Sequence, residues 1–244
     1  MQDTAIPLSY NPIPTEALLS VLNAYSNRNH NDLVTDFEKR ICSITGAQYA
    51  IALNSGTAAI HLGLKALEVE ADDLVMVSTF TYVASVNPIR YLGAIPFFID
   101  SGSDDWNMDP PLLAEGIEQC IRAGKKPKAI LVVHTYGMPA KMKEIRLIAG
   151  RYQIPVLEDA AEAMGSTYDG KHAGTLTEIG IFSFNNNKLL TTYGGGALLT
   201  NSRTVAANIN LWAGQSRDNL PFYEHREIGF NYKMSPLSAA AGLA

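Results

Sequence analysis

Lys188 closes the run Ser183-Phe184-Asn185-Asn186-Asn187-Lys188, ahead of Leu189-Leu190-Thr191-Thr192 and Tyr193-Gly194-Gly195-Gly196. A lysine on an apolar-flanked turn can be desolvated, which lowers its pKa and leaves a neutral amine for imine chemistry. Taken alone, it reads first as a solvated surface lysine, and the glycine run equally as a tight turn between strands. A second cluster, Glu158-Asp159-Ala160-Ala161-Glu162, follows a short apolar strand. Acids beside small residues suit a buried charge that must meet a cation, such as a protonated pyridine nitrogen, because an unpaired buried carboxylate is costly. An acidic helix start is the plainer alternative. A third segment, Asn54-Ser55-Gly56-Thr57, runs from a strand into an Ala-rich helix. Free N–H groups and a partial positive charge there suit a phosphate, which Gly56 would let approach and Thr57 would help hold. The same residues also make an ordinary N-cap.

The elements that must position these groups alternate in type. Strands are expected at Tyr49–Leu53, Leu74–Val77, Pro96–Ile99, Ala129–Val133 and Val156–Leu157. Helices are expected at Thr57–Leu67, Val83–Leu92, Pro111–Ala123 and Met142–Tyr152, and two consecutive strands at Ile179–Phe184 and Ala197–Thr200. Such alternation implies crossover units and a mostly parallel sheet between helices. Ligands in such sheets gather beyond the carboxyl ends of the strands. The post-strand segments 54–57, 78–82, 134–137, 159–162 and 183–188 are therefore expected to converge.

A chain of 244 residues, 47% apolar and 18% charged, can bury the core of one large α/β domain. Its formal net charge of −5 gives no support for a nucleic-acid or anionic-membrane partner. Cys42 and Cys120 lie far apart with no metal-type spacing, which points to a reducing cytoplasm and no metal. No apolar run nears the roughly 20 residues of a membrane span, and the N-terminus lacks a signal-peptide pattern. Dinucleotide, P-loop, nucleophile-elbow and H-E-x-x-H motifs are all missing. The last stretch, Met234–Ala244, reads as a helix that stops inside the element, without a cap.

Read together, the segments NSGTAAIHLGLKAL (54–67), TFTYVASVNPI (79–89), GAIPFFID (93–100), VVHTYGMPAKM (132–142), VLEDAAEAMGSTYDGKHAGT (156–175), FSFNNNKLLTTYGGGALLT (182–200) and GFNYKMSPLSAAAGLA (229–244) resemble the DegT/DnrJ/EryC1/StrS family of sugar aminotransferases. These are fold-type I pyridoxal-phosphate enzymes. The resemblance implies an aspartate-aminotransferase-like large domain over residues 31–244, with residues 1–30 packing on it and the small C-terminal domain missing. It implies that Lys188 bonds the cofactor as a Schiff base and later carries the proton. Asp159 would pair with the ring nitrogen, and Gly56, Thr57 and Ser183 would hold the phosphate. Tyr82 would stack on the ring, Glu162 would sit beside the cofactor hydroxyl, and Asn231 would reach the phosphate of a neighbouring subunit in a homodimer with shared active sites.

Two departures narrow the resemblance. Glu162 stands where many members carry Gln or His, and Gly194 replaces the Glu of T-T-x-E-G-G. With the Asn-rich SFNNNK, these are similar to the subgroup that aminates C4 of UDP-4-keto-6-deoxy-N-acetylglucosamine. The implied reaction is transamination from glutamate to a nucleotide-linked keto sugar, for polysaccharide, lipopolysaccharide or glycan biosynthesis in the cytoplasm. A pyridoxamine-dependent sugar dehydratase on the same fold is disfavoured, since those relatives replace the lysine with histidine. An inactive cofactor-binding fragment is the other alternative. His61 is expected to be a packed core residue, and no role is assigned to His61, His134 or His172.

Overall fold

The structure is a computed structural model that describes residues 13–29 and 31–244. Nine strands are found among the described residues: β1 (Tyr49–Leu53), β2 (Leu74–Ser78), β3 (Ile95–Ile99), β4 (Ala129–Val133), β5 (Val156–Asp159), β6 (Thr167–Tyr168), β7 (Lys171–His172), β8 (Ile179–Ser183) and β9 (Gly196–Thr200). Seven of them form one sheet in the order β1-β9-β8-β5-β4-β2-β3, while β6 and β7 pair as a separate hairpin. β3, β2, β4, β5 and β8 pair in parallel, and β9 runs antiparallel between β8 and β1. The fold is thus the mostly parallel α/β sheet that the alternation implies.

The helices are α1 (Thr15–Ala24), α2 (Asn31–Thr45), α3 (Gly56–Ala66), α4 (Val83–Tyr91), α5 (Pro110–Arg122), α6 (Met142–Tyr152), α7 (Arg203–Ala213) and α8 (Pro236–Leu243). Side chains alternate across each strand, so each strand feeds two cores. Ile51 and Leu53 of β1, Val75 and Val77 of β2, and Leu157 of β5 join Ile60, Leu62, Leu64, Ile89 and Ile209 in the core beneath α3, α4 and α7. On the opposite face, Met76, Ile130 and Val132 meet Leu113, Ile117 and Ile145 of α5 and α6. Ala50, Ala52, Phe182 and Leu199 meet Leu33, Phe37 and Ile41 of α2 and Ala239 and Ala240 of α8.

Three helices and the hairpin lie outside the sequence expectation. α2 shows Leu33, Phe37 and Ile41 at intervals of four, all buried, the stripe of an amphipathic helix. α7 is capped by Ser202, whose hydroxyl accepts from Val205 N–H. α1 packs Leu18, Val21 and Leu22 against the cluster formed by α2 and α8. The rest of the expected 1–30 segment, residues 1–12 and 30, lies outside the described residues.

Candidate active site

The carboxyl ends of β1, β4, β5 and β8 converge with the N-termini of α3 and α4 on one cavity of about 580 Å³. Gly56, Thr57, Tyr82, Asp159, Glu162, Ser183 and Lys188 all line it. The parallel register explains the meeting: Val133 of β4 lies opposite Asp159 of β5, and Asp159 lies opposite Ile181 of β8. Neighbouring strands therefore end in step, and their loops open on the same side.

Asp159 lies at the end of β5 and is 4% exposed. Its Oδ2 accepts from the Ser85 hydroxyl at 2.7 Å and its Oδ1 from Ala161 N–H at 3.1 Å. Burial pushes its pKa above the ordinary carboxylate value, opposed by the Ser85 and Ala161 hydrogen bonds and the fields of Lys188 and His134. Among the described residues, no cationic side chain lies within ion-pair distance of its carboxylate. A buried acid in that position suits a cationic partner arriving from the cavity.

Glu158, the preceding residue, is fully buried on the other face. Its oxygens accept from the backbone N–H groups of Gly174, Leu176 and Thr177 at 2.7 to 2.8 Å, and from the Thr177 hydroxyl at 2.9 Å. His134 Nε2 completes the set at 3.0 Å. Because Ala140 N–H donates to Nδ1 of His134, the ring proton sits on Nε2 and points at Glu158. The acidic pair read from the sequence thus divides its work. Glu158 ties the segment after β7 to the sheet; Asp159 faces the cavity.

Lys188 lies on the loop between β8 and β9, with its side chain 12% exposed and its Nζ 2.8 Å from Glu162 Oε1. Opposite, Ser55 caps α3, its hydroxyl accepting from Ala58 N–H at 3.0 Å. That leaves the first two amides of the helix, Gly56 and Thr57, without intrahelical acceptors at the cavity wall. A Cβ on Gly56 would come within 2.9 Å of Ser183 Cβ. The glycine therefore lets the helix N-terminus close on the end of β8 and bring Ser183 beside the free amides. Among the described residues, Lys188 is the one lysine or arginine in the wall, so amides and hydroxyls are the groups placed to hold an anion at the α3 end.

Tyr82 is the N-cap residue of α4 and stands exposed at the cavity wall. Phe80 and Tyr136 line the wall with it, their rings 6.1 Å apart. Asn231 is exposed and outside the cavity wall; its carbonyl accepts from Asn54 Nδ2 at 3.1 Å, and Asn54 does line the cavity. Thr81, Asn185 and Asn187, from two of the segments expected to converge, also line the wall, as does Ser85, which lies outside those segments and had no expected role. His61 is buried among Tyr91, Phe230 and Tyr232, and burial lowers its pKa to about 4. His172 bonds Ala173 O and Gly165 N–H, fixing a turn.

The residues present fit the group that the resemblance implies. An amine, a buried acid with no ion-pair partner among the described residues, and a cradle of helix amides with a hydroxyl share one cavity, as an aldehyde, a protonated ring nitrogen and a phosphate require. No cluster of three or more His, Cys, Asp or Glu side chains able to hold a metal is found among the described residues. No helix among them is long and apolar enough to cross a membrane.

Fold and site together define an α/β domain built to hold an anionic, ring-bearing cofactor at its strand ends. The chain belongs to the DegT/DnrJ/EryC1/StrS aminotransferase family, whose sequence model matches residues 14–244. It is 46% identical over 212 residues to EpsN of Bacillus subtilis (strain 168), named as a candidate pyridoxal phosphate-dependent aminotransferase, covering 87% of this chain and 55% of EpsN. It is 42% identical over 211 residues to GDP-perosamine synthase of Escherichia coli O157:H7, covering 86% of this chain and 56% of that protein. The crystal structure of a family aminotransferase from Brucella abortus superposes with a TM-score of 0.88 at 29% identity, over 94% of this chain and 62% of that one. The chain spans about half the length of the curated relatives it matches.

Proposed function

We propose that this chain is the cofactor-bearing part of a pyridoxal-phosphate-dependent aminotransferase that moves an amino group from glutamate to the keto carbon of a nucleotide-linked sugar. The observation that carries the reading is the placement of Lys188 and Asp159 in the wall of one cavity. When bound, pyridoxal phosphate supplies an electron sink that lets a carbon beside an amine nitrogen give up its proton.

The residues divide the work around that group. Lys188 would hold it through its side-chain nitrogen and, once displaced by an incoming amine, carry the proton between carbon atoms. Asp159 would accept the ring N–H, keeping the positive charge on the ring. Gly56 and Thr57 amides with the Ser183 hydroxyl would bind the phosphate, Tyr82 would cover a ring face, and Glu162 would bind the ring hydroxyl. The ion pair between Glu162 and Lys188 holds the lysine amine inside the cavity wall. Asn231 would serve the cavity of a second subunit in a homodimer. Its exposed position, outside its own cavity, supports that reading.

For the sugar, the reading is C4 of a UDP-linked 4-keto-6-deoxy-N-acetyl hexose, feeding amino-sugar and polysaccharide synthesis in the cytoplasm. Glu162, Gly194 and the SFNNNK segment support it. Gly194 has a φ of +152°, a region that side-chain-bearing residues rarely adopt, so a Glu there would be strained. The test is a panel of UDP-, dTDP- and GDP-linked keto sugars, each incubated with glutamate and pyridoxal phosphate and read by mass. Conversion of a UDP-linked 4-keto sugar to its amine supports the reading. Preferential conversion of a GDP-linked substrate moves the assignment to the chemistry named in the Escherichia coli relative.

A further inference from the structure

Ser85 belongs to the first turn of α4, three residues after the N-cap residue Tyr82, and is 2% exposed. Its Oγ lies 2.7 Å from Asp159 Oδ2 and 2.6 Å from Thr81 Oγ1. A serine hydroxyl has one proton, and an ionised carboxylate can only accept. The Ser85 proton therefore goes to Asp159, and Thr81 donates to Ser85. The result is a two-hydroxyl relay, Thr81 to Ser85 to Asp159, ending on an acid that is only 4% exposed. The N-terminus of α4 adds positive potential at the same point.

We propose that Ser85 is a positioning residue for Asp159, fixing the rotation of its carboxylate and keeping it ionised so that it can receive a cationic ring nitrogen. The proposal rests on the cofactor reading above. Without the hydroxyl, Oδ2 would keep none of its observed hydrogen bonds, and Ala161 N–H would be the observed hydrogen bond left to the carboxylate. Ser85 is also the strongest of the groups that oppose the effect of burial on this acid. The remaining ones are Ala161 N–H, Lys188 in the cavity wall and His134 at the end of β4. Glu158, the adjacent acid, is turned to the other face and saturated by its own donors. An acid that binds protons more tightly would draw the proton away from the ring nitrogen, so loss of Ser85 should be visible on both partners.

The experiment compares the wild-type chain with Ser85→Ala and Ser85→Thr. With pyridoxal phosphate labelled with 15N in its ring, the wild-type chain should give the protonated-nitrogen shift near pH 7. Ser85→Ala should move that shift toward the deprotonated value and weaken cofactor retention by about tenfold. Ser85→Thr, which keeps a hydroxyl, should return both toward wild type. In the cofactor-free chain, the 13C shift of the Asp159 carboxyl should titrate at higher pH in Ser85→Ala than in wild type. An unchanged Asp159 titration in Ser85→Ala overturns the proposal, as does a Ser85→Thr chain that behaves like Ser85→Ala. Failure of the wild-type chain to take up the cofactor would sink the cofactor reading instead, while the Asp159 titration would still decide the role of Ser85.

Discussion

Glu158 and Asp159 are neighbours on β5 whose carboxylates point to opposite faces of the sheet. One is enclosed by five hydrogen-bond donors. The other faces the cavity with two. Strand parity alone separates them, and their expected responses to substitution differ in sign.

Glu158→Gln would place an amide NH2 where backbone N–H groups and the His134 ring also donate. Breaking a saturated buried carboxylate site of this kind costs about 3–5 kcal/mol. Urea unfolding at pH 7 should show that loss. A change under 1 kcal/mol would mean that the enclosure of Glu158 contributes little to the fold.

Asp159→Asn is expected to do the opposite in the cofactor-free chain. Burial raises the folded-state pKa of Asp159 above its unfolded value. Its contribution to stability is therefore fully present below the unfolded pKa and is lost as pH rises through the folded one. At pH 7 the ionised acid is a cost, and Asn removes it. The Asn variant should unfold at equal or higher urea concentration than wild type, yet bind pyridoxal phosphate at least about tenfold more weakly. A variant both less stable and unchanged in cofactor affinity would contradict this assignment.

His61 should impose a pH dependence of its own. Its pKa falls from 6.5 in the unfolded chain to about 4 in the fold, so between those values the unfolded state binds more protons. Its share of stability is intact above pH 6.5 and is lost as pH falls toward 4, on the order of 2 kcal/mol. His61→Phe should flatten that part of the stability profile measured by urea titration from pH 7 to 4. A slope unchanged in the variant would place the acid sensitivity elsewhere.

Gly56→Ala tests the approach of α3 to β8. The added Cβ would lie 2.9 Å from Ser183 Cβ, a contact that real Cβ atoms essentially never make. Either the helix or Ser183 must shift, at about 1–3 kcal/mol. Thermal unfolding should report that cost, and the affinity for inorganic phosphate should fall with it. Wild-type stability together with wild-type phosphate affinity would mean that the cradle does not depend on this close approach.

Much of this arrangement is legible from the sequence, because strand–loop–helix alternation and the rule that ligands gather at strand carboxyl ends both act locally. The segments carrying Asp159, Ser183 and Lys188 are brought to the cavity that way, and α3, expected from Thr57, starts one residue earlier at Gly56. The insertion of β9 between β8 and β1 is not, since strand pairing is a long-range choice. α2 is a different case: Leu33, Phe37 and Ile41 carry the periodicity in plain view, yet the sequence reading begins its elements at Tyr49. The link between Ser85 and Asp159 joins residues 74 apart in the chain and emerges only when the fold brings the first turn of α4 to the carboxyl end of β5. The Glu162–Lys188 pair likewise joins two loops that only the sheet brings together.

The proposed role of Lys188 is to supply the amine to which the cofactor attaches. Incubating the chain with pyridoxal phosphate, reducing with borohydride and mapping the modified peptide by mass locates that amine. One stable adduct is expected, on the peptide carrying Lys188, and none in Lys188→Ala. An adduct on a different lysine, or one of equal yield in Lys188→Ala, would contradict it.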